Sequence, residues 1–314
     1  MLDKAVAEII RAAYALSTWS NFRTHTSSYI RFARRFGLVA FPLSESALTR
    51  YAAFLSFTVN APKTVLNYIN GLKSVQKLLN LPPFIESPRL QLVLRGLKRT
   101  MRHCIRQAAP ITPAMLLRMS KFVRSTTDVV CFTALLVGFN LFLRKSNLVP
   151  DSCSSFDPLK QLTRQDLRCS KSVFLVSISW TKTIQFQERT LLLPLLRHSK
   201  KELCTHSWLR RMLSKIPATP ADSLRSLLLT WKKTIPLSRR TLLMKLRLWI
   251  RKLHMQPGSY SLHSLRRGGA TFAFRRRVPL NVIRLMGDWI SDCFLRYIDI
   301  AMDTRLHAVA RLSR

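Results

Sequence analysis

The sequence predicts a mainly α protein with a small β-hairpin or sheet, an α+β chain whose first third is a helical bundle. Three observations predict this. Apolar residues recur at helical spacing through the first hundred positions. Two later runs, VFLVSISW (173–180) and QERTLLLPL (187–195), are rich in β-branched and aliphatic residues and read as strands. Between the two regions, RQAAPITPAM carries Pro110 and Pro113, which interrupt any helix there. With 314 residues there is room for two domains. The expected division is a helical domain over 1–106, a linker over 107–113 and a mixed domain over 114–314.

Each element has a local reason. In STWSNFRTHTSSYIRFARRFG (17–37), Trp19, Phe22, Tyr29, Phe32 and Phe36 recur at roughly helical spacing behind a Ser/Thr cap. SESALTRYAAFLSFTV opens with Ser44 or Ser46 as a cap. APKTVLNYINGLKSVQKLLN has Pro62 near a helix start and sets Val65, Leu66, Ile69, Leu72 and Val75 along one face. SPRLQLVLRGLKRTMR is a fourth helix. Four or five such helices make a compact bundle. Past the prolines, residues 127–143 predict an apolar helix, with Arg144 at its end. TKTIQF lies between the two strands as the hairpin connection. Helices return from about 201, and AMDTRLHAVARL is a plausible last one.

Charge bounds the partner. The chain carries 52 Lys+Arg against 15 Asp+Glu, a net +37. The excess is spread out, with +11 over residues 1–105 and +26 over 106–314. A fold that is basic throughout points to a polyanion, and nucleic acid is the leading candidate. Binding of that kind weakens steeply with salt, because each neutralised phosphate releases counterions. Six cysteines show neither CxxC nor Cys/His metal spacing, and they read as reduced thiols of an intracellular protein. The start, MLDKAVAEII, lacks a basic n-region, so no secretory signal is expected. The longest apolar stretch, DVVCFTALLVGFNLFLR, is bounded by Asp128 and Arg144 and falls short of a membrane span. No membrane partner is expected, and the basic clusters point to nuclear access.

The chemistry concentrates in HSLRRGGATFAFRRRVPLNVIRLMGDWISDCFLRYI (263–298). His263 and Arg266 are three residues apart and share a face if a helix starts there, with Ser261 placed to cap it. Gly268 and Gly269 allow another backbone, or DNA, to come close. About one His-x-x-Arg is expected by chance in a chain of this composition. Indeed His103 and Arg106 make a second, but no glycines or tyrosine follow it. Two tyrosines lie after residue 70. Tyr260 is close to His263 in sequence and reads as a packing residue, which leaves Tyr297. Arg144 and Lys182 lie upstream. Arginine, lysine, histidine, arginine and a late tyrosine are the groups needed to cut and rejoin a DNA phosphodiester. A tyrosine can attack phosphorus and keep the bond energy. Guanidinium forks match phosphate oxygens. A histidine moves protons near neutral pH, and a lysine on a hairpin can protonate the leaving oxygen.

These residues bear a family likeness. FNLFLRKSNL (139–148), SISWTKTIQFQ (177–187), SLHSLRRGGAT (261–271) and GDWISDCFLRYI (287–298) resemble the tyrosine recombinases, or phage-type integrases, and more narrowly the eukaryotic Crypton and DIRS-like mobile-element recombinases. VLRGLKR (93–99) and APITP (109–113) extend the likeness over nearly the whole chain. It implies a helical core-binding domain followed by a tyrosine-recombinase catalytic domain closing on double-stranded DNA, with four protomers in the synapse. It implies that Arg144 and Arg266 clamp the scissile phosphate, that Lys182 is the acid, that His263 is the base or proton relay, and that Tyr297 is the nucleophile of a 3′-phosphotyrosine. No metal or other cofactor is implied. Arg34, Arg35, Lys63, Lys73, Arg99, Arg275 and Arg276 are the candidate DNA contacts.

Two positions depart from the family. Many relatives have a carboxylate three residues after the first arginine, where this chain has Asn147. Many have histidine or tryptophan nine residues before the tyrosine, where this chain has Asp288, with Trp289 eight away. Trp289 is the better chemical match, since its indole N–H can donate to a phosphate oxygen. Two other readings use the same residues: a catalytically retired DNA-binding descendant of such an enzyme, and a type IB topoisomerase.

Overall fold

A computed structural model of the chain describes residues 1–103, 107–170, 172–217, 224–228, 235–298 and 309–310. It divides into two compact units, Met1–Arg106 and Gln107–Arg314. Arg106 and most of the expected last helix, 301–312, lie outside the described residues.

The first unit is helical: α1 (Leu2–Ala12), α2 (Leu16–Arg35), α3 (Glu45–Thr58), α4 (Pro62–Leu78) and α5 (Pro88–Thr100). Ser44 and Ser87 cap α3 and α5 through their hydroxyls, and Pro62 stands at the first turn of α4. The core is Tyr29 and Phe32 from α2, Leu48, Tyr51 and Leu55 from α3, Val65, Ile69 and Leu72 from α4, and Leu90 from α5. Phe36, expected on the α2 face, instead follows its end and is half exposed. Helix α1 was not expected. Leu2, Val6, Ile9 and Ile10 recur along one face of it, yet every side chain on it is exposed.

The second unit contains α6 (Pro113–Ser120), α7 (Thr126–Asn140), α8 (Lys145–Leu148), β1 (Leu167–Cys169), β2 (Val173–Ile178), β3 (Leu191–Leu196), α9 (Thr205–Lys215), α10 (Arg239–Lys252), α11 (His263–Arg275) and α12 (Leu280–Met286). The strands form one antiparallel sheet in the order β1-β2-β3, with Val176 opposite both Leu167 and Leu193. Phe174, Val176 and Ile178 turn to the core with Leu193 and Leu195. Pro194 is tolerated because β3 is an edge strand. Strand β1 is three residues long and carries no period of its own. The residues expected as a linker pack here: the N–H groups of Ala109 and Ile111 donate to the carbonyls of Ser259 and Ser264, and Ile111 is buried.

Helix α7 organises this unit. Its residues from Asp128 to Phe139 are buried, as suits a helix apolar on all sides. Two close approaches seat α11, which carries His263 and Arg266, against α7 and against the segment before α6. A Cβ on Gly269 of α11 would collide with the carbonyl of Phe139, and one on Gly268 with the backbone of Ile111. The two glycines therefore let α11 lie against neighbouring main chain. Among the described residues no helix is long and apolar enough to cross a membrane.

The start of α7 makes a stability prediction. Ser125 and Asp128 form a reciprocal capping box, and Asp128 pairs with Lys245 of α10 at 2.7 Å. Burial pushes the Asp128 carboxyl up, but Lys245 and the N–H groups of Ser125 and Arg124 outweigh this and hold it at about 2. A group whose pKa falls on folding stabilises the fold above its unfolded pKa and ceases to do so as pH drops through the folded one. Asp128→Asn is therefore expected to cost about 2 kcal/mol at neutral pH. That deficit should shrink from pH 4 toward pH 2 in chemical denaturation.

Candidate active site

The segment after α7 sets the site. Helix α7 ends at Asn140, not at 143, and the chain reverses through Phe142 at a φ of +50°. Arg144 is therefore not the last residue of the apolar helix, as expected from sequence. It stands beyond the turn as the N-terminal flank of α8. The reversal aims the Phe142 carbonyl at Arg266, whose Nη1 donates to it. Nη2 of Arg266 donates to the carbonyl of Gly287 at 2.6 Å.

Arg266 is buried and its guanidinium lies 3.7 Å from the centre of the Trp289 ring and 5.5 Å from that of Tyr297. Burial lowers it to about 9, and Arg144 lowers it too, while Tyr297 and Asp288 act in the opposite sense; it stays charged at neutral pH. One turn before it on α11, the His263 ring lies 4.9 Å from Tyr297. Ser261 accepts the His263 N–H, as a cap should, although the residue directly before the helix is Leu262. His263 is solvent-exposed on one side. Burial of its other side lowers its pKa, and the positive charges of Arg266, Arg144, Arg267 and Lys145 lower it further. The neutral ring, able to accept a proton, is thus the form present at pH 7.

Tyr297 ends a 3₁₀ turn (Asp292–Tyr297) and is half-buried. Thr271 of α11 donates its hydroxyl to the Tyr297 carbonyl at 3.1 Å. Beneath it lies a small apolar cluster of Phe142, Ala270, Ile283, Trp289, Phe294 and Ile298. The Trp289 ring is 5.3 Å from that of Tyr297. Two donors at the Arg266–Trp289 stack, Nε of Arg266 and Nε1 of Trp289, are buried without a hydrogen-bond partner. Such groups are uncommon in folded proteins and call for an acceptor.

The site also contains Asp288, the residue set aside in favour of Trp289 by its chemistry. It is buried in the left-handed region at φ +51°. Its carboxylate takes Arg144 Nη1 at 3.4 Å and Arg189 at 2.5 Å, and accepts the hydroxyls of Thr181 and Thr183. Its carbonyl takes Arg144 Nη2 at 3.0 Å. Burial pushes the carboxyl up, but the two hydroxyls and Arg189 hold it below the ordinary carboxylate range. Lys182 lies between those threonines on a tight turn, Thr181–Ile184, within the connection from β2 to β3, and its side chain is exposed. The structure thus gathers Arg144, His263, Arg266, Trp289 and Tyr297 and anchors the backbone of Lys182 beside them. Asn147 serves the hairpin rather than an arginine: its amide donates to the Trp180 carbonyl at 2.6 Å.

No family model and no curated protein sequence matches the chain. Solved structures do. The Tn1549 transposon integrase in complex with transposon right end DNA aligns over 98% of this chain and 98% of its own, with a TM-score of 0.64 at 17% identity. The XerH site-specific recombinase, bound to palindromic difH substrate, covers 95% of this chain and 80% of its own at a TM-score of 0.64 and 14% identity. A lambda integrase dimer bound to a COC′ core site covers 95% and 94% at 0.58 and 14%. The chain has the tyrosine-recombinase fold.

Among the candidate DNA contacts, Arg34, Arg35, Lys63 and Arg99 in the first unit are exposed, as are Arg275 and Arg276 at the end of α11. Lys73 differs. It pairs with Glu86 at 2.9 Å and lies 5.6 Å from the Phe84 ring centre, so its charge already has a partner within the tyrosine-recombinase fold. Tyr260 is buried in the core, as its reading as a packing residue requires.

Proposed function

We propose that this protein is a site-specific DNA recombinase or integrase that cuts and rejoins duplex DNA through a 3′-phosphotyrosine. We further propose that it is encoded by, or derived from, a mobile element of the Crypton or DIRS-like kind and acts in the nucleus as a tetramer on paired sites. One observation carries the reading: Tyr297 stands among His263, Arg266 and Trp289. The DNA complexes formed by the Tn1549, XerH and lambda proteins support duplex DNA as the substrate.

In this reading Arg266 and Arg144 neutralise the non-bridging oxygens as charge builds on phosphorus. Neutral His263 accepts the Tyr297 proton as Oη attacks. The P–O5′ bond breaks, and its electron pair leaves on O5′, which takes a proton from Lys182. Rejoining reverses each transfer, and none of these steps calls on a metal.

The test is a denaturing gel of purified protein with labelled, nicked duplexes. These carry the DNA that flanks the coding segment, beside a randomised pool, and the buffer contains EDTA. A covalent band in wild type that is absent in Tyr297→Phe, with binding retained by both, is the expected result. Salt-sensitive binding without a band in wild type would favour the retired DNA-binding descendant. A band with relaxation of supercoils and no recombinant product would favour the topoisomerase.

A further inference from the structure

We propose that Asp288 is a positioning residue that clamps the turn carrying Lys182 to Arg144, and thereby fixes where the acid for the leaving oxygen stands. The inference rests on the strand-transfer reading above and deepens it.

Lysine has a long flexible stem, so the place its ammonium can reach depends on where its backbone is held. Lys182 is exposed, and its own side chain does little to settle that place. Its neighbours settle it. Thr181 and Thr183 flank it, and both donate their hydroxyls to the one Asp288 carboxylate. Thr181 Oγ1 also accepts the N–H groups of Thr183 and Ile184, at 3.0 and 3.1 Å, which closes the turn on itself. From the other arm of the same connection, Arg189 reaches the second oxygen of Asp288. Both arms of the hairpin connection therefore meet on one buried side chain. The same residue holds Arg144, through its carboxylate and its carbonyl.

This arrangement also accounts for the family departure at Asn147. An amide there cannot offer an arginine a negative charge, and in this chain it grips the hairpin at the Trp180 carbonyl instead. The carboxylate that meets the first arginine comes from Asp288, in the other family position where the chain departs. Aspartate also fits the backbone, since it tolerates the left-handed conformation better than most residues do.

A merely structural ion pair would make a different prediction, which leaving-group chemistry can separate. In ordinary DNA the departing O5′ needs the Lys182 proton. In DNA with sulfur replacing O5′ at the cleaved position, a thiolate leaves, and because a thiol is a far stronger acid than an alcohol it needs no proton donor. The experiment measures single-turnover covalent cleavage of the nicked duplexes of the gel test, in their oxygen and sulfur forms. Wild type, Thr181→Val/Thr183→Val, Asp288→Asn, Lys182→Ala and Tyr297→Phe are compared.

The double threonine variant keeps Asp288 paired with Arg144 and Arg189. It should cleave oxygen DNA more slowly by something approaching the 10²-fold range of lost general-acid catalysis, and sulfur DNA at nearly the wild-type rate. Lys182→Ala should show the same rescue from a deeper deficit. Asp288→Asn should be rescued in part, because its effect on Arg144 remains. Tyr297→Phe should be inert on both. A double threonine variant that cleaves oxygen DNA at the wild-type rate, or that is equally slow on both DNAs, would overturn the inference and leave strand transfer standing. Wild type inert on both DNAs would overturn strand transfer, and the inference with it.

Discussion

Arg266→Ala is expected to lower covalent cleavage by roughly 10²–10³-fold, the range seen when one preorganised donor to a developing oxyanion is removed. The same substitution should lower the melting temperature. Arg266 is buried and its two Nη groups saturate the carbonyls of Phe142 and Gly287. Truncation leaves both carbonyls without that donor, at about 1–3 kcal/mol each, and uncovers the face of Trp289. Arg266→Lys separates the two effects. It keeps the positive charge but has no planar fork to span both carbonyls while lying over the indole. It should recover part of the cleavage and little of the stability. Calorimetry beside the single-turnover gel reads both. Equal loss of cleavage in the lysine and alanine variants would mean that the fork, rather than the charge, is what the reaction needs.

The second large effect is a pH dependence. His263 accepts a proton only when neutral. Its pKa is lowered by burial and then by the arginines around it. Cleavage should therefore be flat through neutral pH, and should fall tenfold per unit once pH drops below a value that itself lies below the ordinary 6.5 of histidine. His263→Gln should remove that acid limb and slow cleavage at neutral pH by on the order of 10²–10⁴-fold. A limb of unchanged position in His263→Gln would assign it to another group.

The sequence showed some of this and hid the rest for physical reasons. Residues that pack on one side of a long helix announce themselves by spacing, as Val65, Ile69 and Leu72 do on α4. A helix buried all round announces itself by composition, as α7 does. The end of α7 was misplaced by three residues because Leu141, Phe142 and Leu143 are as apolar as the helix before them. What stops the helix is the positive φ of Phe142, which its side chain gives no reason to expect. In the site, the late tyrosine and the His-x-x-Arg pair were legible because their types and order are chemically specific. By spacing Asp288 is only a rival to Trp289 for contact with phosphate; in the structure its carboxylate is taken up by Arg144, Arg189, Thr181 and Thr183. One clue to its place was available: an acid between Gly287 and Trp289, in a chain this basic, can be buried only with cations against it. Thr181 and Thr183 offered no such clue, because threonine is common on turns.

The contacts of Arg266 form a closed circuit. Arg266 holds the Phe142 carbonyl, the chain runs two residues on to Arg144, Arg144 holds Asp288, and the preceding residue, Gly287, offers its carbonyl back to Arg266. Three of the acceptors in that circuit are main-chain carbonyls, of Phe142, Gly287 and Asp288, and mutation can remove only the cations that satisfy them. A lineage that had abandoned DNA cutting would still be selected to keep both arginines, because losing either would tax folding itself. Tyr297 is under a lighter obligation: a phenylalanine there fills nearly the same space, and Arg266 loses one hydrogen-bonding neighbour but keeps both carbonyls. Among descendants of this chain, a retained arginine pair would therefore say that the fold persists, and Tyr297, His263 and Lys182 would say whether the proposed strand transfer does.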